Sequence, residues 1–285
     1  IDIPAPIEPV GTVDNTTIGK YQLTYTATDS KGQTSTLVRT VDVVAPRSFV
    51  TTWQTTTDGE SIAMRIDDNT YTYNFDVDWG DGSSVENYQA VDFASHTYAK
   101  AGTYRVTING ELPWISIKLR GFVDSNLKLI NINQWGDIAW LSMASAFSGG
   151  ENMTSDAIDT PDLRQVTVIN RMFYGASIFN TDISAWDVSN VTTMSNMFSG
   201  ATAFDQDISA WDVSSVTAMH WMFESIALST ANYDALLNSW SKQLVEANVI
   251  FDAGNSQYSA SSQAARDILT SAPNNWTIVD DGVKP

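Results

Sequence analysis

The chain has 285 residues, with 15 Lys+Arg against 33 Asp+Glu and a formal net charge of −18. Nucleic acid and anionic lipid are polyanions, so this charge argues against both as partners and suits cations, basic peptides or neutral sugars. The absence of cysteine excludes disulfides, zinc–thiolate sites and thiol catalysis, and with histidine only at His96 and His220 a histidine-rich metal centre is excluded too.

No apolar run approaches the ~18–20 residues of a membrane span, so membrane insertion is not expected. The start has no basic n-region, no apolar h-region and no initiator Met, and the chain reads as a mature piece or fragment of something longer. Charged residues make up only 17% while Ser and Thr abound, a composition shared by many secreted bacterial surface proteins. A monomeric, extracellular fragment from the bacterial cell surface is expected.

Residues 1–46 alternate. Tyr21, Leu23 and Tyr25 share one parity, as do Leu37, Val41 and Val43, with Arg39 the one interruption. Period-two apolar positions predict half-buried strands. Asp29, Ser30, Lys31 and Gly32 between them supply turn chemistry, so the segment is a hairpin. The stretch VDNTTIGKYQLTYTATDSKGQTSTLVRTVDVV resembles the C-terminal half of bacterial immunoglobulin-like surface repeats, which implies a partial Ig-like β-sandwich domain over 1–46. Pro46 and Arg47 mark a joint.

Over 47–112 a second β pattern appears. Tyr73, Phe75, Val77 and Trp79 alternate up to the tight turn Gly80, Asp81, Gly82; Tyr98, Tyr104, Val106 and Ile108 follow, with Gly102 at another turn. The pair VDWGDGS and HTYAKAGTYRVTI resembles the polycystic-kidney-disease (PKD) type of β-sandwich module, with Trp79 in a shifted slot relative to the usual WDFGDG. The resemblance implies an extracellular spacer or accessory binder.

An internal repeat dominates 113–226. FNTDISAWDVSNVTTMSNMFSGA (179–201) and FDQDISAWDVSSVTAMHWMFESI (204–226) align at an offset of 25, pairing Phe179/Phe204, Ile183/Ile208, Trp186/Trp211, Val188/Val213, Val191/Val216, Met194/Met219 and Phe198/Phe223. Earlier copies are degenerate: Asp137 and Asp162 hold the register of Asp187, and Ala146-Phe147 lies 26 before Met172-Phe173. A fixed period in this range signals stacked repeats. Ile183-x-x-Trp186-x-Val188 fits a short strand with Trp186 and Val188 inward, and Val191, Met194 and Met197 at every third residue fit a 3₁₀ or loose helical return. The motif FNxDISxWDVSxVTxMxxMF resembles the BspA-like leucine-rich repeats of bacterial surface proteins. It implies a leucine-rich-repeat-like α/β solenoid, in a protein concerned with adhesion or recognition.

Over 227–285, Tyr233, Leu236, Leu237, Trp240 and Leu244 share one helical face with Thr230 as N-cap, NVIFDAG reads as a strand, SASSQAARDIL as a second helix and WTIVDDG as a last strand. A C-terminal α/β cap and tail is expected there. The whole is a multi-domain chain: β-sandwich modules, then an α/β solenoid, then an α/β cap.

Between 172 and 241 there is no Lys or Arg, and the seven acids are Asp182, Asp187, Asp205, Asp207, Asp212, Glu224 and Asp234. Asp162, Asp187 and Asp212 form one column in the repeat register, Asp182 and Asp207 a second. Two roles are open: each Asp caps its own turn by accepting backbone N–H bonds, or the columns form a track for a cation or basic ligand. Trp186 and Trp211 belong to the frame and should be buried. His220 and Trp221 replace Ser195 and Asn196 of the previous copy, as an exposed recognition feature or an end-of-stack adjustment. Asp29, Asp76, Asp78 and Asp81 sit at hairpin turns, where they brace the turn or ligate calcium. No other cofactor is implied. No G-x-S-x-G, phosphate loop or nucleophile–histidine pairing is present, so no enzyme is expected. The leading reading is a ligand-recognition region of a large adhesin, its partner a host, cell-surface or matrix protein or glycan. A structural stalk and a carbohydrate-binding or polysaccharide-acting module are the alternatives.

Overall fold

A computed structural model of the chain describes residues 7–14, 17–66, 70–89, 91–118 and 124–285. It divides at Pro46/Arg47 into two compact units.

The first unit is an antiparallel hairpin of β1 (Gly19–Thr28) and β2 (Thr34–Val43), in register from Gly19↔Val43 to Thr28↔Thr34. Asp29 makes the turn: its Oδ1 accepts from the N–H groups of Lys31 and Gln33, both at 2.8 Å. Val10 adds a single antiparallel bridge to Thr24. No described residue of this unit is buried. Two strands have too little surface to enclose a core, and Leu37 and Val38 stay exposed.

The second unit begins with a six-stranded sheet in the order β10-β9-β3-β8-β5-β6. Here β3 is Phe49–Thr55, β5 Asn74–Asp78, β6 Glu86–Tyr88, β8 Gly102–Glu111, β9 Leu129–Gln134 and β10 Thr154–Ser155. A separate pair, β4 (Ser61–Arg65) and β7 (Phe93–Thr97), shares its core. The alternation read from the sequence places Phe75 and Val77 of β5 inward, with Val106 and Ile108 of β8 beside them, all buried. Trp79 stacks on His96 at 5.4 Å with 12° between planes, and the Tyr98 hydroxyl donates to the Trp79 carbonyl at 2.9 Å. Gly80 has φ 79°, and a Cβ there would lie 2.3 Å from the Arg105 carbonyl oxygen, so only glycine allows β8 to pass this close to the turn.

β3 joins this sheet to the repeats. It pairs with β8 on one side and β9 on the other, and β9 pairs in parallel with β10 of the next repeat. A single buried cluster accordingly runs from Phe49 to Ile278 without a break at 112.

The expected α/β solenoid with an α/β cap does not form. Among the described residues the regular structure is mostly β-strand in several sheets, with helix confined to α1 (Ser125–Lys128), α2 (Thr230–Trp240), α3 (Gln263–Thr270) and one 3₁₀ turn. The predicted inward strand at Trp186–Val188 is an irregular segment between two turns, one closed by Trp186 N–H to the Ile183 carbonyl at 3.1 Å and the other by Val191 N–H to the Val188 carbonyl at 2.8 Å. Nor does Val191–Met197 wind into a helical return. Its N–H groups alternate between two partners. Met197 donates within its own turn to the Met194 carbonyl (3.2 Å), whereas Met194, Asn196, Phe198 and Gly200 donate to Ala218, His220, Met222 and Glu224 of the next copy at 2.8–3.0 Å. The same ladder links Ile169, Arg171, Phe173 and Gly175 to Thr193, Ser195, Met197 and Ser199. An every-third-residue apolar spacing fits this ribbon of turns as well as it fits a helix. Parallel bridging is reduced to single contacts, Val168↔Thr193 and Thr193↔Ala218.

Aromatic columns hold the copies together. Phe147, Phe173, Phe198 and Phe223 stack face to face with centroid spacings of 5.9, 5.8 and 5.6 Å, and Phe179 lies parallel to Phe204 at 6.3 Å. Offset stacking at such distances is the favoured arrangement of aromatic pairs, worth about 0.5–1.5 kcal/mol each beyond area burial.

Residues 227–285 continue this bonding instead of capping it. β11 (Ile250–Asp252) bridges in parallel to Met219 and pairs with β12 (Thr277–Val279). α2 is capped by Ser229, whose side chain accepts from Asn232 N–H, rather than by Thr230, and it ends at Trp240, leaving Leu244 exposed. α3 is tied down by Arg266, which donates to the nearly buried Asp280 carboxylate at 2.9 Å.

Candidate functional site

Each repeated Asp holds a turn. The Oδ1 atoms of Asp182, Asp187, Asp207 and Asp212 accept from the N–H of Ser184, Ser189, Ser209 and Ser214 at 2.9, 3.2, 2.9 and 3.0 Å. Asp-x-Ser thus closes a small Asx turn while the apolar residue between, Ile183, Val188, Ile208 or Val213, points into the core. Asp187 gains the Ser189 hydroxyl at 2.6 Å. In the degenerate copy Asp162 is held by Arg164, Nη2 to Oδ2 at 2.6 Å, and Asp137 is drawn to Arg47.

At Asp162, Asp182 and Asp187 such bonds favour the ionised form. The Arg164 guanidinium lowers the pKa of Asp162, the Ser189 hydroxyl and N–H lower that of Asp187, and the Ser184 N–H lowers that of Asp182. Asp162 acts on Asp187 in the opposite sense, as one carboxylate beside another does.

His220 and Trp221 sit together with ring centroids 6.0 Å apart. Trp221 is 53% exposed, whereas Trp186 and Trp211 are buried at 6% and 1%. Its φ of 54° is left-handed, at the register position where Asn196 (58°) and Arg171 (57°) are left-handed too. A bulky residue pays a steric penalty there that asparagine largely avoids. The inter-repeat bonds made by the N–H groups of Arg171 and Asn196 have no counterpart at Trp221 among the described residues, because the extended β11 faces this copy in place of another turn ribbon.

The acids at the hairpin turns are spoken for separately. Asp29 is at the β1–β2 turn described above. Asp76 accepts from Asn87 Nδ2 at 2.8 Å, Asp78 from Gly80 N–H at 2.9 Å, and Asp81 from Ser83 N–H at 3.0 Å, with His96 Nε2 2.8 Å from its other oxygen. Ser83 and then His96 hold the Asp81 carboxyl well below the usual carboxylate range. No group of three or more His, Asp or Glu among the described residues could hold a metal ion. Asp76, Asp78 and Asp81 are therefore not gathered around one point.

Two features escaped the sequence. One is the left-handed column itself: besides Ser145, Arg171, Asn196 and Trp221 it includes Gly149, Gly175, Gly200 and Ser225 four residues further on. The recurring Gly after Met-Phe was its signal. The other is a cavity of about 140 Å³ whose lining mixes Trp135, Phe179 and Trp186 with polar residues, among them Asp159, Thr160, Thr181 and Asp182. Trp135 lies outside the repeat register, so the period gave no hint of its edge-on contact with Trp186 at 5.4 Å.

No helix among the described residues is long and apolar enough to cross a membrane. No curated protein and no solved structure matches the chain. Residues 141–263 match a family model described as a Mycoplasma protein of unknown function, DUF285, and residues 1–43 match one described as the Ig-like domain of bacterial surface proteins. The match at 1–43 is thus to a domain of bacterial surface proteins, and the match at 141–263 overlaps the repeats.

Proposed function

We propose that this chain is a non-enzymatic recognition region of a bacterial adhesin, presenting the end of its repeat stack to a host, cell-surface or matrix protein or glycan. The carrying observation is Trp221. Other tryptophans of the repeats are buried, while this one is half exposed beside His220 in a backbone conformation unfavourable to it. Strained, exposed aromatics cluster at binding surfaces, where one large ring supplies contact area at little entropic cost. The Asp columns serve the fold, since every member is occupied by its own turn, and the reading asks for no cofactor and no calcium. The PKD-like and BspA-like resemblances of 47–112 and 170–226 agree with an extracellular setting.

A stalk is the second reading, favoured by the turn-bound state of the acids. The full chain on a glycan array and on immobilised matrix proteins and host cells separates the two. Expected is saturable binding that falls at least tenfold in Trp221→Asn, the residue of the preceding copy, with unchanged melting. Absence of binding on all surfaces supports the stalk; binding untouched by Trp221→Asn removes the face from the reading.

A further inference from the structure

The outer side of the turn ribbon alternates between small and large residues. Each copy closes one turn there: Ser148 N–H donates to the Ser145 carbonyl, Tyr174 to Arg171, Ser199 to Asn196 and Glu224 to Trp221, at 3.2–3.3 Å. Copy by copy the two ends of that turn are Ser and Ser, Arg and Tyr, Asn and Ser, then Trp and Glu. Arg171, Tyr174, Trp221 and Glu224 are exposed, whereas Ser148, Asn196 and Ser199 are buried. The ribbon therefore carries a trough with Asn196 and Ser199 on its floor, Arg171 and Tyr174 on one bank and Trp221 and Glu224 on the other. At the ~4.8 Å separation of adjacent strands, banks two copies apart stand about 10 Å from each other. The Tyr174 and Trp221 rings do not touch across this distance; Trp221 meets only His220 among the described residues.

Its polar groups are left over from folding. Asn196 is 9% exposed, yet no hydrogen bond engages its amide among the described residues, and its amide atoms are not among those sealed from solvent. A buried amide without a partner is costly unless something supplies one. The Arg171 guanidinium, the Tyr174 hydroxyl and the Trp221 indole N–H likewise have no partner among the described residues. Glu224 takes the Ser199 hydroxyl at 3.2 Å through Oε2. The backbone adds nothing, because the N–H groups of Arg171, Phe173, Asn196 and Phe198 are all spent on the next copy.

We infer that this trough binds a neutral oligosaccharide lying across the copies, with one pyranose ring against Trp221, another against Tyr174 and the sugar between them hydrogen-bonded by Asn196. The inference rests on the Trp221 face being a binding surface and names its ligand. The C–H face of a pyranose is weakly positive and stacks on the negative face of an aromatic ring, while its hydroxyls both donate and accept, as the Asn196 amide, Arg171 and Glu224 require. One cation and one anion on opposite banks cancel, which suits an uncharged ligand. A basic peptide would meet Arg171, and an added β-strand would find no backbone edge to pair with. An apolar helix would leave the Asn196 amide unsatisfied.

The test titrates the full chain calorimetrically with cellohexaose, chitohexaose, xylohexaose and maltohexaose, their disaccharides, and an oligogalacturonate as the anionic comparison. Expected is saturable binding of at least one neutral hexasaccharide, at least about tenfold weaker for its disaccharide. Tyr174→Ser, which installs the residue of the neighbouring copies, and Asn196→Gly, which removes the amide while keeping the left-handed backbone relaxed, should each weaken it about tenfold with little change in melting. Failure of all four hexasaccharides to bind overturns the inference, as does equal binding of the disaccharide, tighter binding of the oligogalacturonate, or binding untouched by Tyr174→Ser and Asn196→Gly. Attachment to a matrix protein or cell that Trp221→Asn abolishes, without any hexasaccharide binding, would sink the glycan and leave the Trp221 face standing. Hexasaccharide binding untouched by Trp221→Asn would sink both.

Discussion

Replacing each of the three register-equivalent isoleucines by alanine separates the architecture described here from a uniform repeat. If the period alone governed packing, Ile158→Ala, Ile183→Ala and Ile208→Ala would cost the same. In the structure Ile183 and Ile208 are each 1% exposed, within a core of Phe, Trp and Met side chains that cannot fully collapse onto the space left. Truncating a buried isoleucine to alanine costs about 2–5 kcal/mol, through lost transfer energy plus the cavity left behind. Ile158 has its side chain wholly in solvent, so its truncation costs about 0–0.5 kcal/mol. Taking a urea m-value of about 3 kcal/mol/M for a unit of this size, the midpoint should drop by roughly 1 M for Ile183→Ala and Ile208→Ala and stay within about 0.2 M for Ile158→Ala. Tryptophan fluorescence reads the transition, since Trp186 and Trp211 lie in the affected layers. A loss in Ile158→Ala equal to that in Ile208→Ala would refute the reasoning: Ile158 would then pack inside, and the cavity beside Trp186 would not exist.

Acid should weaken the repeats. Asp137, Asp162, Asp182 and Asp187 all have lowered pKa values, so the unfolded chain binds more protons; their stabilisation is complete above the unfolded carboxylate value of about 3.9 and is lost as pH falls through the folded values. The urea midpoint should therefore fall from about pH 4 downward, and Asp187→Asn, which keeps an acceptor for the turn, should make the fall shallower. The left-handed column yields the other expectation: Ser225→Gly, which restores the glycine found at 149, 175 and 200, should stabilise by about 1 kcal/mol, and Gly200→Ala at φ 72° should destabilise by about the same, both read as midpoint shifts. A Cβ at Gly200 meets only ordinary contacts at 3.6 Å, so a much larger loss would show that the ribbon is tighter than its backbone geometry implies.

Much of the local chemistry was legible. Alternation placed Phe75 and Val77 in the core, the glycines of VDWGDG located a turn whose Gly80 admits no side chain, and Asp-x-Ser announced turns that the carboxylates do close. The period of 25 correctly paired Phe173 with Phe198 and Phe198 with Phe223. What it could not convey was backbone conformation. Met194 and Met197 recur with a spacing shared by a helix and by a turn ribbon, and the choice is made by which carbonyls the alternate N–H groups find in the neighbouring copy, a non-local matter. The strand expected at Trp186–Val188 failed for a related reason. Asp187 competes for the backbone by binding the Ser189 N–H, and a bonded Asx turn is incompatible with an extended ladder at that point.

The exceptions to the repeat carry more functional information than the repeat. Asp187 and Asp212 recur because each copy needs its turn closed, and a side chain consumed by its own backbone has less to offer a ligand. Trp221 and Ile158 do the opposite: each occupies a register position whose counterpart is buried, Asn196 for the first and Ile183 for the second, and each turns outward where the stack meets something other than another copy. At Trp221 the neighbour is the extended β11; at Ile158 it is Trp135, which follows β9. Stacking satisfies backbone and core in the middle of the array, so freedom to expose large apolar groups or leave a cavity is concentrated at its two ends. A search for the partner is accordingly best directed at those ends, with the Asp columns of the central copies serving as the control surface.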